Sequence, residues 1–426
     1  MSQVSLAING GKPVIDYQFE RYNTIGREEI EAAKTVIESG VLSDFLGKWD
    51  SKFYGGKYVK ELEKRWAEKF QIDHSITFNS ATSALCAAIG ACEVGPGDEV
   101  IVSPYTMVAS ATAILSYNAV PIFADIDDKT FNITASTIAK RITRHTKAIM
   151  VPSIIGHPAQ MDEIMRIARK NNLKVVEDAA QAPGSTLNGK NIGTFGDIGV
   201  YSLNRHKHIH TGEGGVAVTD DPDLSQRLML IRNHGEVTAD TRNFKNLVNT
   251  FGFNFRLGEI ESAMAVEQLK KFDALIENRI RLANRMTENL SDLQDVIQLP
   301  HVEANAKHVY YLYAIKYKQE PGAPHRDKVA SAIREEGLMM RQGFQKPIYL
   351  LAMYQNKIAY GEKGCPFSCP LYEGAVSYEE GLCPMTERIE NNEMMAFHLG
   401  KYDLSNSDID RASESIRKVV ENLDKV

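Results

Sequence analysis

Short apolar runs alternate with helical patterns through the first two thirds of the chain. Seven runs rich in β-branched residues have strand length: SITF, DEVIVS, VPIFADI, KAIMVPSI, LKVVEDA, IGVYSL and GVAVTD. Helical periodicity lies between them, in segments that include ATSALCAAIGA, TMVASATAILSYN and QMDEIMRIARKNN. Buried strands separated by amphipathic helices predict a mostly parallel seven-stranded sheet covered by helices on both faces.

The pattern changes in the last third. A long helical pattern covers residues 257–293, and VYYLYAIKY then alternates like a half-exposed strand. HRDKVASAIREEG predicts a helix stopped by Gly337, and DLSNSD offers caps for a final helix. We therefore predict an α/β fold with a large domain over residues 1–280 and a smaller α+β domain over 281–426. The helix REEIEAAKTVIESG, closed by Gly40, belongs to the N-terminal segment.

Composition narrows the class of protein. The chain has 426 residues, of which 43% are hydrophobic, so it can bury a large core. A net charge of −6 argues against non-specific nucleic-acid binding. We see no secretory signal and no apolar run of membrane-spanning length. Five cysteines, an odd number, indicate reduced thiols, and we expect a cytoplasmic protein that binds no membrane.

Two motifs resemble binding sites but have weak patterns. Cys365, Cys369 and Cys383 could join His398 as zinc ligands, yet the Cys-x3-Cys spacing is loose, and ordinary loop thiols are the simpler interpretation. The stretch GSTLNGKN resembles a phosphate-binding loop but has Asn191 where a magnesium-binding Ser or Thr is required. A polar hairpin is predicted instead, and no metal site.

Three segments carry candidate chemistry. VVEDAAQAPG places Asp178 at a strand end, where open parallel sheets bind ligands. SLNRHKHIHTGEGG follows another strand and gathers an arginine, a lysine and three histidines. In FNSATSAL a strand turns into a helix whose free N–H groups form an anion site. Together they suit a ligand with a phosphate, a basic ring nitrogen and an aldehyde, which are the three groups of pyridoxal 5′-phosphate.

Motifs along nearly the whole chain extend this interpretation. They are LAINGGKPV, EEIEAAKTVIESGVLS, NSATSAL, GHPAQMDEIMRIARKNNLKVVEDAAQAPGS, GTFGDIGVYSLNRHKHIHTGEGGVAVTDD, LIRNHG, GFNFRLGEIESAMAVEQL, HVYYLYAI and CPMTERI. In order and spacing the chain resembles the DegT/DnrJ/EryC1/StrS sugar aminotransferases, which are fold-type I enzymes that use pyridoxal phosphate. The resemblance implies that Lys207, five residues after Ser202 and five before Gly212, is the Schiff-base lysine and proton carrier.

The resemblance also implies the other site residues. Asp178 pairs with the pyridine nitrogen and Gln181 contacts the ring hydroxyl. The phosphate is held by the backbone of Ala81 and by Thr82, Ser83 and Ser202, with Asn254 reaching across from a second subunit of a homodimer. Ala81 departs from the glycine of many members, and Met107 replaces an aromatic residue that stacks on the ring, a role that Met107 or Tyr105 could fill.

The resemblance further implies transfer of an amino group, with L-glutamate the expected donor, to a keto- or aldehydo-sugar. Four residues of the basic loop exceed what the cofactor needs: Arg205, His206, His208 and His210. They are either a polar loop or a site for an anionic acceptor, such as an oxidised octulosonate that yields an 8-amino sugar acid for lipopolysaccharide. A nucleotide-linked keto-hexose or a cyclitol also fits the family. Residues 47–59 form either a flap over the pocket or a surface loop.

Three alternatives stay open at this point. One family branch has histidine at the lysine position and dehydrates sugars, but here histidines only flank Lys207. A non-catalytic regulatory protein could keep the fold, yet Lys207, Asp178 and Gln181 are all present. Metal binding by the histidine-rich loop is the third alternative.

Overall fold

A seven-stranded sheet forms the centre of the molecule in a computed structural model that describes residues 5–242, 244 and 246–426. Its strands are β1 (His74–Phe78), β2 (Glu99–Val102), β3 (Val120–Phe123), β4 (Thr146–Pro152), β5 (Lys174–Asp178), β8 (Ile198–Ser202) and β9 (Gly215–Thr219). Their order is β1-β9-β8-β5-β4-β2-β3, with β9 antiparallel to both neighbours and the other pairs parallel. The prediction of seven strands in a mostly parallel sheet is confirmed.

Helices cover both faces of this sheet. The α-helices of the described residues are α1 (Arg27–Ser39), α2 (Lys57–Phe70), α3 (Ala81–Ala91), α4 (Ala109–Leu115), α5 (Ala135–Ala139), α6 (Met161–Lys170), α7 (Pro222–Arg232), α8 (Gly235–Arg242), α9 (Glu259–Asn289), α10 (Arg326–Glu335), α11 (Ala352–Gln355), α12 (Pro384–Arg388) and α13 (Asn406–Val420). Of these, α10 and α13 pack in a separate C-terminal core. One core packs Trp66 and Phe70 of α2 on Tyr201 of β8. The other core packs α3 and α4 on the opposite face.

Several helix ends follow from the sequence. Gly40 ends α1 with φ 71°, a left-handed conformation that glycine adopts without steric cost. Ser405 caps α13 by accepting a hydrogen bond from the N–H of Asp408. Gly337, with φ 96°, follows α10 and stops it as predicted.

Two smaller sheets complete the fold. One has the order β10-β12-β14-β13, from β10 (Ile297–Gln298), β12 (Tyr313–Tyr317), β14 (Met394–Phe397) and β13 (Arg341–Gln342). The other joins β11 (Ala306–Lys307) to the hairpin of β6 (Thr186–Leu187) and β7 (Lys190–Asn191). That hairpin is the GSTLNGKN stretch, so the polar-hairpin interpretation is confirmed.

The expectation of a half-exposed strand at VYYLYAIKY was wrong. All five residues of β12 are buried. Ala314 packs into the core beneath the large sheet, whereas Ile315 packs on the opposite side with residues of α10 and α13. The strand lies between two packed layers, so its alternation separates two cores rather than core from solvent.

The division at residue 280 does not coincide with an element boundary. Helix α9 is continuous from Glu259 to Asn289 and packs against α1, α2 and α13. In addition, the C-terminal residues Ile348, Tyr354, Tyr378 and Cys383 pack into the core of the large sheet beside Phe123. A boundary assigned from sequence alone misses this return of the chain, because the contacts join residues more than 200 positions apart.

The candidate zinc ligands do not form a cluster in the described structure. Cys383 is in the core, and within the described part of the chain no three His, Cys, Asp or Glu side chains are grouped so that they could hold a metal ion. Among the helices of the described residues, none is long and apolar enough to cross a membrane.

Candidate active site

Three strands of the large sheet end at one cavity of about 420 Å³. Pro152, Asp178 and Ser202 are the last residues of β4, β5 and β8, which are neighbours in the sheet, and all three line the cavity. The start of α3 and Lys207 line it as well. This is the carboxyl edge of a parallel sheet, where such folds bind ligands.

Asp178 and Glu177 point to opposite faces of β5 because side chains alternate along a strand. Asp178 faces the cavity, where it accepts hydrogen bonds from the hydroxyl of Ser110 at 2.7 Å and the N–H of Ala180 at 3.1 Å. Glu177 is fully buried and accepts from the N–H groups of Gly193, Phe195 and Gly196 at 2.6–2.8 Å. Of the two carboxylates, only Asp178 can meet a ligand.

Lys207 projects from a loop that hydrogen bonds to itself. Leu203 N–H donates to Gly214 O, and Arg205 N–H donates to Gly212 O, which pins both ends of the loop together. The Nζ of Lys207 lies 4.7 Å from the ring centre of Tyr311.

Burial lowers the pKa of Lys207 to about 8, although the negative charge of Asp178 acts to raise it. About a tenth of the Lys207 side chains therefore carry a neutral amine at pH 7. A neutral amine can act as a nucleophile and as a base.

The first turn of α3 offers free donors to the cavity. Ser80 caps the helix by accepting from the N–H of Ser83, whereas the N–H groups of Ala81 and Thr82 have no partner among the described residues. Gly215 of β9 makes this approach possible, because a Cβ there would lie 2.5 Å from the nitrogen of Ala81. Such a helix start suits a phosphate.

Ser83 is an exception to the predicted phosphate site. Its hydroxyl donates to the side-chain oxygen of Asn79 at 2.6 Å, and the residue does not line the cavity. The hydroxyl points back to the residues before the helix and also lies 2.9 Å from the hydroxyl of Ser80. Ser80, which was not among the predicted residues, lines the cavity instead.

Gln181 is held in place by a strained residue. Its Oε1 accepts from the N–H of Ile155 at 2.9 Å. Ile155 has φ 54°, a left-handed conformation that is costly for a β-branched side chain. Such strain persists where the surrounding structure enforces it, and Gln181 itself lines the cavity.

Of the two candidates for covering a cofactor ring, only Met107 lines the cavity. Tyr105 is fully buried outside it, and its hydroxyl donates to Glu390 Oε2 at 2.7 Å. This placement favours Met107 over Tyr105 as the residue that covers a ring in the cavity. Met107 is 54% exposed at the mouth of the cavity.

The three substrate candidates in the basic loop lie in different places. His206 lines the cavity, whereas Arg205 faces the other side of the loop. His208 is buried and its Nε2–H donates to Val309 O at 2.9 Å, while burial holds its pKa well below the usual range. The ring of His208 therefore packs inward and does not line this cavity.

Sequence reasoning missed several cavity residues. Thr106 lines the cavity, and Ser110 lies behind it, where its hydroxyl donates to Asp178 at 2.7 Å. Tyr311, Arg341, Phe344 and Gln345 come from the C-terminal third, and no local pattern marks them. Gln345 donates to Thr106 O at 2.7 Å and so joins the two parts of the cavity wall.

Two further expectations concern residues outside this cavity. Asn254 is exposed and its Oδ1 accepts from Arg256 Nε at 2.8 Å, so its own chain's cavity does not contain it. Residues 47–59 pack instead against α9 and the residue that follows α7: Asn233 Nδ2 donates to Phe53 O, and Glu259 accepts from Tyr58 N–H. The stretch covers no part of its own chain's cavity.

The cavity suits pyridoxal phosphate. It supplies a buried carboxylate at Asp178, a lysine at residue 207 and unpaired N–H groups at Ala81 and Thr82, and its volume is ordinary for a small-molecule site. A larger cavity of about 830 Å³ lies at the other end of the sheet, beside Lys174 at the start of β5. That cavity has no comparable set of converging groups, so size does not identify the site.

The chain is similar to known proteins. A model of the DegT/DnrJ/EryC1/StrS aminotransferase family matches residues 25–394. GDP-perosamine synthase of Caulobacter vibrioides is 36% identical over 301 residues, which cover 71% of this chain and 80% of that protein. UDP-N-acetyl-3-dehydro-alpha-D-glucosamine 3-aminotransferase of Acidithiobacillus ferrooxidans is 34% identical over 329 residues, 77% of this chain and 85% of that protein.

A solved structure extends the similarity to the fold. The aminotransferase from Psychrobacter cryohalolentis superposes with a TM-score of 0.82 at 26% identity and covers 96% of this chain and 100% of its own. The fold is therefore that of the type I aminotransferases, as predicted. The chain belongs to the DegT/DnrJ/EryC1/StrS aminotransferase family and is a sugar aminotransferase that depends on pyridoxal phosphate.

Proposed function

We propose that the chain transfers an amino group from L-glutamate to a keto-sugar linked to a nucleotide, with Lys207 as the catalytic base. The observation that carries the proposal is the placement of Lys207. Its amine faces the cavity with a pKa lowered to about 8, between the carboxylate of Asp178 and the open start of α3.

Each cavity residue then has a distinct task. Pyridoxal phosphate, when bound, supplies the aldehyde and the electron sink of transamination. Asp178 holds a proton on the ring nitrogen, supported by Ser110. Ala81 and Thr82 bind the phosphate with their N–H groups, together with Ser202, and Gln181 positions the ring. Lys207 Nζ takes and returns the proton that moves during the reaction.

The relatives support a nucleotide-linked acceptor. The two curated proteins described above are named for a GDP-linked and a UDP-linked amino sugar. His206 and Arg341 stand at the cavity wall, where they can contact sugar hydroxyl groups. An acidic octulosonate and a cyclitol stay predictions from the sequence, and both belong in the acceptor panel described below.

A homodimer with shared sites is part of the proposal. Asn254 lies outside its own chain's cavity in a segment with an exposed Phe251 and a stacked pair formed by Phe253 and Phe255. Leu247 and Val248, which precede it, are each at least half exposed. Apolar side chains exposed together mark an interface, and a twofold interface would bring each Asn254 to the partner subunit.

Transfer of labelled nitrogen tests the function. The protein, loaded with pyridoxal phosphate, is incubated with ¹⁵N-labelled L-glutamate and a panel of UDP-, GDP- and dTDP-linked keto-sugars, an oxidised octulosonate and a keto-cyclitol. We expect the label in one nucleotide-linked sugar, detected by mass spectrometry, together with 2-oxoglutarate. Label only in the acid or the cyclitol would overturn the nucleotide assignment, and a sugar consumed without label would indicate a lyase.

A further inference from the structure

A strained turn after the end of β4 determines the direction of Gln181. Ile155 and Gly156 are consecutive residues in the left-handed region, with φ 54° and φ 93°. The N–H of Ile155 donates to Gln181 Oε1 at 2.9 Å. A β-branched residue adopts this backbone conformation only where the surrounding structure enforces it. The contacts that enforce the turn therefore also control Gln181.

Asn132 encloses the turn from one side. The residue is 2% exposed, and its Oδ1 accepts from the N–H of Ile154 at 2.8 Å. Its Nδ2 donates to the carbonyl oxygen of His157 at 3.2 Å. One buried amide thereby holds both ends of the turn.

Residues 308–312 pack on the other side of the turn. The N–H of Val309 donates to Gly156 O at 2.9 Å. A Cβ on Gly156 would lie 2.6 Å from the nitrogen of Tyr311, so glycine permits this close contact. Tyr311 lines the cavity, with its ring centre 4.7 Å from Lys207 Nζ. The turn and this segment therefore form one unit at the wall of the active site.

A buried ion pair holds the last residue of the turn. His157 is 1% exposed, and its Nε2 lies 2.9 Å from Oε2 of Glu303, whose Oε1 accepts from Gln160 Nε2 at 3.0 Å. His157 Nδ1 lies 2.9 Å from the carbonyl oxygen of Pro158, closer than the 3.5 Å to Asn132 Nδ2. An acceptor beside each ring nitrogen places a hydrogen on both, so the ring carries a positive charge.

His157 depends on Glu303 for the compensation of this charge. Within the described residues, Glu303 is the only carboxylate in ion-pair contact with His157. Burial acts to raise the pKa of Glu303, but the contact with His157 and its positive charge lower that pKa to about 2. The ring of His308 packs edge to face on His157 at 5.3 Å, and burial followed by the charge of His157 holds the pKa of His308 well below its usual range. Removal of Glu303 would leave a buried charge without a partner, which is strongly destabilising where it occurs.

We infer that His157 and Glu303 are positioning residues for the aminotransferase, whose ion pair holds the turn of residues 154–157 in the conformation that directs Gln181 into the cavity. The inference rests on the proposed role of Gln181 at the cofactor ring. Neither member of the pair lines the cavity, so the pair acts through Gln181 and not on a ligand.

Cofactor affinity of the full chain tests the inference without any turnover. Pyridoxal phosphate is titrated into the apoproteins of the wild type, Glu303→Gln, His157→Gln and Gln181→Ala, with fluorescence as the readout. Glu373→Gln is the matched control, because it removes the carboxylate of an exposed ion pair with Arg144. We expect a Kd about tenfold higher in the three variants of the site and unchanged in the control.

Two double-mutant cycles show whether the pair acts through Gln181. Addition of Glu303→Gln or of His157→Gln to Gln181→Ala should change the Kd by less than about twofold, because the side chain that the pair positions is already absent. Urea unfolding establishes that each apoprotein is folded under the conditions of the titration. The cycles are independent, so if one variant fails to fold, the other cycle decides the question.

Four results would have different meanings. A wild-type Kd in Glu303→Gln or in His157→Gln overturns the inference, even where the free energy of unfolding falls. Full additivity in the cycles shows an effect that does not pass through Gln181, and a wild-type Kd in Gln181→Ala removes the residue on which the inference depends. Nitrogen transfer plays no part in the titration, so a wild type that binds the cofactor but transfers no nitrogen from glutamate overturns the proposed function alone.

Discussion

Two adjacent carboxylates on β5 have separate tasks, and conservative changes distinguish them. We expect Asp178→Asn to fold normally and to lose about 10²-fold in kcat, because the amide cannot hold a proton on the ring nitrogen. Glu177→Gln serves as the contrasting variant. It loses one acceptor for the three N–H groups of residues 193–196 and should lower the free energy of unfolding by about 2 kcal/mol.

Activity assays of purified variants and urea unfolding check this pair. A large loss of activity in Glu177→Gln at full stability, or a fully active Asp178→Asn, would contradict the assignment of these residues.

The lowered pKa of Lys207 predicts a pH dependence. Only the neutral amine captures the cofactor aldehyde, so the rate at which the apoprotein binds pyridoxal phosphate should rise with pH up to a midpoint at about 8. Asp178 opposes the lowering, so Asp178→Asn should move the midpoint to lower pH. Stopped-flow absorbance from about pH 6 to about pH 11.5 measures both midpoints. A midpoint near 10.5 would show an amine with an unperturbed pKa.

The sequence predicted those cavity residues that lie at or just after the end of a strand. Asp178, Gln181, Ser202 and Lys207 all face the cavity, because the carboxyl edge of a parallel sheet collects the residues that follow its strands. Rotation around a helix or within a loop was not predictable. Ser83, Tyr105 and His208 each point away from the cavity, and in each case a hydrogen bond to a distant or irregular segment determines the direction.

At the level of elements, the start of α3 depends on its contact with β9. Gly215→Ala would place a Cβ 2.5 Å from the nitrogen of Ala81, against backbone that cannot yield without moving α3. We expect about tenfold weaker binding of pyridoxal phosphate and a loss of about 1–3 kcal/mol in the free energy of unfolding. Gly95→Ala is the control, since nothing lies within 4 Å of its added Cβ.

Fluorescence titration of the cofactor and thermal unfolding measure the two effects. Cofactor affinity equal in Gly215→Ala and Gly95→Ala would show that this contact does not form the phosphate site.

The elements of the large sheet were predictable because each one is a local pattern. All seven strands and the helices α1, α3, α6, α10 and α13 follow from period and caps. The segment between β13 and α12 has no strong period, and its return to the large sheet rests on contacts such as that between the Tyr378 hydroxyl and Pro121 O, far apart in sequence. Local propensity cannot encode such contacts.

At the level of the whole molecule, shared active sites predict complementation between inactive variants. Lys207→Ala and Asn254→Ala should each be inactive or nearly so as homodimers. In a mixed dimer, one site combines the intact Lys207 of one subunit with the intact Asn254 of the other. Random mixing should therefore restore about a quarter of wild-type activity. Assays after co-refolding of the two variants measure this, with Lys207→Ala mixed with Asp178→Asn as the control that gives no recovery.

In this mechanism Lys207 and its cavity carry out the first half of a transamination. The most direct measurement is the visible absorption spectrum of the purified protein before and after excess L-glutamate, with Lys207→Ala alongside. We predict a yellow band from the lysine-bound cofactor that glutamate abolishes as 2-oxoglutarate appears, and no such lysine-dependent band in the variant. A protein without the band after reconstitution, or a Lys207→Ala variant that responds to glutamate at the wild-type rate, would contradict this mechanism.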